Sequence, residues 1–259
     1  MNQHNVVYVG EDDDCLSLAV AEDLTLFGLN INRLANKLSL LESFFQYFSN
    51  QQKSLDVIFL TETFLSADES LFYNLEGYDA FHFSRESRSG GGSVFYIKKD
   101  IKVSHKVQKI KCREVQLMIL NLEELNIKIC GIYRPPTSNS SNLREFLDLL
   151  DNVLEKNKKM ICIGDINIDL LKSDSMELVN IISSNSFHIV NKIHPDHFTR
   201  RGKSSLTIID HCYTDVQEKI LVQLGETGFS DHKFLLIIVS KICNKRLEVN
   251  TYHKKICQF

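Results

Sequence analysis

Short apolar runs, most of them closed by a turn residue, set the fold class of this chain. Leu24–Leu29, Asp56–Leu60, Tyr78–Phe83, Ser93–Lys98, Val103–Val107, Val115–Leu122 and Ile127–Tyr133 all have strand length and strand composition. So do Met160–Ile163, Phe187–Asn191, Leu206–Thr214, Ile220–Leu224 and Phe234–Val239, although Asp210 and His211 interrupt the run before Thr214. A helical period shows in few places. Leu34, Leu38, Leu41, Phe45 and Phe48 share one face, with Asn32 as a candidate cap. Phe146, Leu147, Leu150 and Val153 do the same within Leu143–Lys156, and Met176–Ser184 is a third candidate. Strands therefore outnumber helices and do not alternate with them. That argues against a doubly wound parallel sheet. It fits an α+β chain in which two mixed, mostly antiparallel sheets pack face to face with helices outside.

The run that ends at Ile163 leads into the most informative stretch, Gly164-Asp165-Ile166-Asn167-Ile168-Asp169. On an extended chain alternate residues share a face, so Asp165 and Asn167 would stand together at the exit of a core strand. A carboxylate beside an amide can hold and orient a water or a phosphate oxygen. Gly, Asp and Asn are also the usual turn residues, so the same stretch reads as a turn. Other strand exits decide its weight. Asn30 ends the first strand, Glu62 follows the buried run Val57–Leu60, and Tyr133 precedes Arg134-Pro135-Pro136. Asp210 lies inside one late run, and Asp231-His232 precedes the last strong one. A glutamate at a strand exit is a natural ligand for a hard cation.

Composition narrows the partners. No stretch approaches the ~20 apolar residues needed to span a membrane, and no basic segment followed by an apolar core marks a signal peptide. The 7 cysteines are scattered and form no Cys-x-x-Cys pair, which disfavours zinc and points to a reducing, intracellular setting, nuclear or cytoplasmic. No Pro-rich or Gly/Ser-rich linker divides the chain, so it reads as one domain over 24–240. An acidic lead-in (1–23) is loosely attached and a polar tail (241–259) closes the chain.

Net charge is −3, which does not suggest nucleic acid for the chain as a whole. The distribution is uneven, however: residues 85 to 113 carry nine bases and two acids. That stretch, with Arg85 and Arg88, and the loop bearing Arg200, Arg201 and Lys203 read either as a basic rim for nucleic acid or as a solvated hairpin with ordinary surface lysines. The Gly90-Gly91-Gly92 run lacks the Lys-Ser/Thr of a P-loop and reads as glycines at the start of a strand.

In this order the motifs resemble the endonuclease/exonuclease/phosphatase family. The matching pieces are Leu-Asn-Ile-Asn (29–32), Leu-Thr-Glu-Thr (60–63), Gly-Gly-Gly-Ser-Val-Phe-Tyr-Ile-Lys (90–98) and Tyr-Arg-Pro-Pro (133–136). Gly-Asp-Ile-Asn-Ile-Asp (164–169), Ile-Asp-His (209–211) and Ser-Asp-His (230–232) complete the set. The forms of the fourth and fifth pieces are most similar to the apurinic-type endonuclease domain of non-LTR retrotransposons. The resemblance implies a four-layer αββα sandwich and a Mg²⁺-dependent phosphodiesterase, with Mn²⁺ as a substitute, that nicks DNA. It assigns Glu62 as the principal metal ligand, with Asn30 and Asp231 close to the metal. Asp165, oriented by Asn167 and Asn30, would activate water. His232, held by Asp210, and Tyr133 would contact the phosphate. Pro136 stands where abasic-site endonucleases carry Asn, and Asn32 where many relatives carry an acid. A same-fold phosphoesterase for RNA, nucleotides or phosphoinositides is the alternative, as is an inactive retroelement remnant kept as a binding module.

Overall fold

The computed structural model describes residues 6–8, 23–49, 55–84, 91–104, 107–136, 140–157 and 159–240. The tail 241–259, most of the lead-in 1–23, and both Arg85 and Arg88 lie outside them.

The strands in chain order are β1 (Val6–Tyr8), β2 (Leu24–Asn30), β3 (Val57–Thr61), β4 (Tyr78–Phe83), β5 (Ser93–Lys98), β6 (Gln108–Cys112), β7 (Val115–Leu122) and β8 (Ile127–Tyr133). They continue with β9 (Met160–Asp165), β10 (His188–Ile189), β11 (Arg200–Arg201), β12 (Leu206–Thr207), β13 (Asp210–Thr214), β14 (Ile220–Gly225) and β15 (Phe234–Val239). The helices are α1 (Leu38–Ser49), α2 (Ala67–Ser70), α3 (Ser140–Lys156) and α4 (Met176–Ser184).

One sheet runs β1-β14-β15-β2-β3-β5-β4 and the other β10-β13-β9-β8-β7-β6. Each sheet has a parallel pair at its centre, β2 with β3 and β8 with β9. A parallel pair needs a crossover, and a helix supplies it in both cases: α1 between β2 and β3, α3 between β8 and β9. Both crossovers leave the carboxyl ends of the two central strands at the same edge of their sheet.

Three apolar layers separate four structural ones. Leu26, Phe59, Ile129, Ile161, Ile163 and Leu235 fill the space between the sheets. Phe27, Ile58 and Leu236 turn outward to Leu41, Phe44 and Phe45 of α1. Leu117, Ile132 and Cys162 turn outward to Phe146 and Leu150 of α3 and to Leu178 and Ile182 of α4. The order is helix, sheet, sheet, helix: the four-layer αββα sandwich. Strict two-residue alternation produces it, because each central strand is buried on both faces.

The sheets interlock through missing side chains. A Cβ on Gly28 would lie 2.6 Å from Ile163 Cδ1 of the facing sheet, and one on Gly131 would lie 2.3 Å from the Phe59 ring. Each glycine is the hole for a large residue opposite. Gly164 is tighter still: φ is +153°, and a Cβ there would lie 1.8 Å from Ile132 O in the neighbouring strand.

Several elements depart from the sequence reading. Val6–Tyr8 of the lead-in is an edge strand, parallel to Ile220–Val222, and Tyr8 Oη donates to Val190 O across to the other sheet. These three residues are therefore docked, not loose. Val103 makes only an isolated bridge to Leu122, and the edge strand begins later, at Gln108. There Lys109 and Lys111 face solvent while Ile110 turns inward, a lysine-bearing edge of the kind that resists aggregation. Asn32 caps no helix. It has φ 45°, its N–H donates to Asn30 Oδ1, and α1 starts six residues later after a short 3-10 turn. The strand at 187–191 shrinks to His188–Ile189, and the polar loop at 197–205 contains half of a small hairpin, β11 with β12. Asp210 and His211 do not interrupt a strand; they begin β13.

Gly164→Ala should lower stability by roughly 3 kcal/mol or more, since backbone overlap and a conformation closed to Ala act together. In a chain of this length that is a fall of roughly 6–12 °C in Tm. A thermal melt measures it, and a Tm within about 2 °C of wild type would show that the β8–β9 junction does not need glycine.

Candidate active site

Every polar strand end singled out in the sequence, within the described residues, is at one edge of the sandwich. The cause is register. Asn30 is paired with Thr61, the last residue before Glu62. Asp165 is paired with Tyr133 on one side and with Asp210 on the other. The inward faces of β2 and β9 continue the core pattern by two residues: Gly28 packs on Ile163, and Asn30 then meets Asp165.

That meeting is a hydrogen bond from Asn30 Nδ2 to Asp165 Oδ2, 2.8 Å long, joining the two sheets. The other carboxylate oxygen of Asp165 accepts from the Asn167 N–H at 3.1 Å. The strand thus ends at Asp165 and the chain turns, with Asn167 at φ 51°. The Asn167 side chain does not stand beside Asp165. Its Nδ2 donates to Arg134 O, while Arg134 Nη1 donates to Ile166 O and Asn167 O, all within 2.8–3.1 Å. Asn167 therefore acts on Asp165 through its backbone. Arg134 clamps that backbone from the buried side; the sequence showed Arg134 within a motif but gave no sign of this clamp.

His232 Nδ1 lies 2.7 Å from Asp210 Oδ2, both side chains buried. The loop that carries His232 is pinned twice by Ser230: its Oγ donates to Asn30 O at 2.7 Å and accepts from the His232 N–H at 3.1 Å. Asp210 is held by Thr199, whose Oγ1 accepts the Asp210 N–H. His211, next in the same motif, faces the opposite side, bonding Tyr213 Oη and Ile208 O, and is structural.

Glu62 has φ 55°, a left-handed conformation that costs a non-glycine residue about 1–3 kcal/mol. A continuous backbone ladder holds it there. Ile31 N donates to Thr61 O, Arg33 N to Glu62 O, Leu34 N to Thr63 O, Thr63 N to Gly92 O and Phe64 N to Gly91 O. Gly91 and Gly92 both have positive φ, so the glycine run before β5 serves this ladder. Tyr133 Oη reaches Glu62 Oε1 at 3.4 Å. Asp231, half exposed, accepts from Arg200 Nε at 3.0 Å.

The electrostatics follow from burial and like charge. Burial and the neighbouring Asp210 raise Asp165 to about 8, against the pull of His232 and the Asn30 hydrogen bond. Burial would lower His232, but Asp210, Asp165 and Asp231 outweigh it and raise it to about 9. Burial also pushes Asp231 up, yet His232 and Arg200 hold it below the usual carboxylate range. Burial lowers Lys37, whose ammonium donates to Ile31 O at 2.8 Å and faces the charges of Asp231 and Glu62.

The site therefore has four carboxylates, Glu62, Asp165, Asp210 and Asp231, crowded against one imidazole. That excess of negative charge fits a hard divalent cation. Asp165, Asp210 and His232 offer ligand atoms within 4.8 Å of one another. Those groups are buried and already bound to each other or to Asn30. Glu62 and Asp231, which are less buried, also have carboxylate oxygens that could hold an ion. Both ends of the Asn30 amide are engaged, by Asp165 and by Asn32 N.

The basic residues divide. Arg200, Arg201 and Lys203 lie on the β11–β12 hairpin beside the site, where Arg200 bridges to His232 and Arg201 stacks on Phe198. The described part of the 85–113 stretch spans both sheets, with β5 in the first and β6 at the edge of the second. Within it Lys98 pairs with Asp100, Lys102 with Glu124 and Arg113 with Glu145.

In the folded chain Asp165 and His232 keep protons that the unfolded chain has released. Stability of the metal-free protein should therefore fall as pH rises, from about 4 to 8 on account of Asp165 and from about 6.5 to 9 on account of His232. Asp210→Asn should flatten the part due to His232. Thermal melts in chelator across that range test this, and a constant Tm would contradict it.

No curated protein matches the chain by sequence. Solved structures do match in fold. The AP endonuclease LMAP from Leishmania major superposes with a TM-score of 0.68 at 13% identity, over 91% of this chain and 93% of that one. The endonuclease domain of TRAS1, a telomere-specific non-LTR retrotransposon, gives 0.58 at 13%, over 84% and 98%. The mannosyl-6-phosphatase Bt3783 of Bacteroides thetaiotaomicron VPI-5482 gives 0.60 at 14%, over 84% and 100%. At such identities the likeness establishes the fold alone, and this fold carries more than one chemistry. The family profile reaches further, because it spans residues 27–232 and so covers all the strand ends assembled above: the chain belongs to the endonuclease/exonuclease/phosphatase family.

Proposed function

We propose that this chain is a divalent-metal-dependent phosphodiesterase that nicks DNA, of the type found in non-LTR retrotransposons. The observation that supports the reading most is the joining of two units at one edge: Asp165 held by Asn30 from the opposite sheet, and His232 held by Asp210. Phosphodiester hydrolysis needs a positioned base for water and donors for the phosphoryl oxygens.

Asp165 is the base. Its two hydrogen bonds fix the carboxyl plane; burial keeps it protonated in the metal-free protein, and a bound cation would release that proton and leave the carboxylate able to take one from water. His232 is the cationic donor: Asp210 takes the Nδ1–H, which leaves the Nε2–H for a phosphoryl oxygen. Tyr133 Oη is a second donor at the same rim. Glu62 and Asp231 would hold Mg²⁺ or Mn²⁺, which supplies charge neutralisation and lowers the proton affinity of the acids around it. Among the described residues no helix is long and apolar enough to cross a membrane.

DNA is favoured as the substrate by the β11–β12 hairpin, which carries three bases and is bridged to His232 through Arg200. The complete set of site residues speaks against an inactive remnant. Incubation of supercoiled plasmid with Mg²⁺ should give nicked circles, and excess EDTA should abolish them. Hydrolysis of nucleotides or phosphoinositides with no nicking would favour the alternative phosphoesterase.

If the hairpin carries the DNA, each phosphate contact removed should flatten the salt dependence of binding by about one unit. Arg201→Ala with Lys203→Ala should therefore weaken binding to all DNA sequences and reduce the slope by about two. Affinity and slope equal to wild type would place the DNA elsewhere.

A further inference from the structure

Next to the carboxylates is a rigid, exposed pair that the hydrolysis does not use. The Arg33 guanidinium lies 5.0 Å from the centre of the Phe64 ring. Phe64 is 36% exposed, and Arg33 is exposed as well. Arg33 follows Asn30 by three residues, and Phe64 follows Glu62 by two, so the pair sits where the two halves of the site leave the first sheet.

Its backbone is unusual. Arg33 has φ 75° and Phe64 φ 58°, both left-handed, at residue types that rarely take this conformation. Strain at two such positions costs more than a solvent-exposed cation–π pair returns. The pair is therefore not explained by stability. Nor is it loose: Arg33 N is bonded to Glu62 O at 2.8 Å and Phe64 N to Gly91 O at 2.7 Å, within the same ladder that fixes Glu62. A strained, over-determined segment beside a reacting centre is what a pre-positioned binding surface looks like.

We infer that Arg33 and Phe64 form a stacking platform for an unpaired nucleobase next to the scissile phosphate. A ring held rigidly in water and carrying a guanidinium offers a nucleobase a flat apolar face and a cation, the two features that single-strand platforms combine. In a continuous duplex the faces of the bases are already stacked on one another. The preferred substrate is therefore DNA with a single-stranded or extrahelical nucleotide beside the cut. This deepens the nuclease reading and rests on it.

The test uses the full chain in EDTA, so that nothing is cleaved, and single-stranded oligonucleotides carrying one 2-aminopurine. Wild type should quench the 2-aminopurine fluorescence on binding. Phe64→Ala should lose the quenching and weaken binding about 5- to 100-fold, the range expected when one base–aromatic stack is removed. Phe64→Trp should restore both, while Phe64→Leu, similar in bulk but without a π face, should not. Arg33→Ala should weaken binding as well. Affinity and quenching like wild type in Phe64→Ala would overturn the platform, as would full rescue by Phe64→Leu. The nuclease reading fails separately, if wild type with Mg²⁺ or Mn²⁺ nicks no DNA; the fluorescence result in EDTA still decides the platform in that case.

Discussion

The hydrogen bond from Asn30 to Asp165 is the contact on which the rest of the site depends, because it ties the central strands of the two sheets together where the site begins. Facing sheets pack about 10 Å apart, too far for a short amide to reach a short carboxylate unless the strands approach. Two glycines let them approach. Gly28 admits Ile163 and Gly131 admits Phe59, one hole in each sheet. With the strands that close, the next inward positions on β2 and β9 are Asn30 and Asp165. The chemistry is the core pattern continued one step past its apolar end.

The same geometry explains the charges. Asp165 and Asp210 are neighbours across an antiparallel pair, so their carboxylates are brought together by strand register. Side by side in a buried setting, they cannot both ionise freely, and the proton affinity of one rises. His232 answers part of that charge by pairing with Asp210, and its own pKa rises in return. Glu62 and Asp231 add two further acids at the more open side of the site. Arg200 and Lys37 lie close to these acids, Arg200 as an ion pair with Asp231. They limit how much extra positive charge the site needs.

Long elements with strong apolar patterns were legible in the sequence. Tyr78–Phe83, Ser93–Lys98, Val115–Leu122, Ile127–Tyr133, Met176–Ser184 and Phe234–Val239 have the bounds the residue pattern suggests. The layer order was legible too, since few helices with many doubly buried strands leave little alternative. Short polar strands were not. Arg200–Arg201 pairs with Leu206–Thr207 without any apolar period, and Val6–Tyr8 is a strand only because the edge of β14 is there to receive it. Within the site, the identities of Asp165, Asp210 and His232 could be read from recurrence at strand ends, but their orientation could not. Asn167 turns its amide to Arg134 O, and Asn32 gives only its N–H to Asn30. Those choices follow from left-handed backbone at Asn32, Glu62 and Asn167, which residue type alone does not announce.

Asp165 is proposed to serve catalysis at some cost to the fold, since its carboxylate is buried beside a second one. Asp165→Asn separates the two roles with almost no change in shape. The measurement is single-turnover plasmid nicking with saturating Mg²⁺, alongside a thermal melt of the same preparation. The account predicts a rate lower by about 10²- to 10⁴-fold, the usual worth of a general base, with a Tm equal to or above that of wild type. A variant that nicks at nearly the wild-type rate would contradict it, and so would one that loses activity only because it no longer folds.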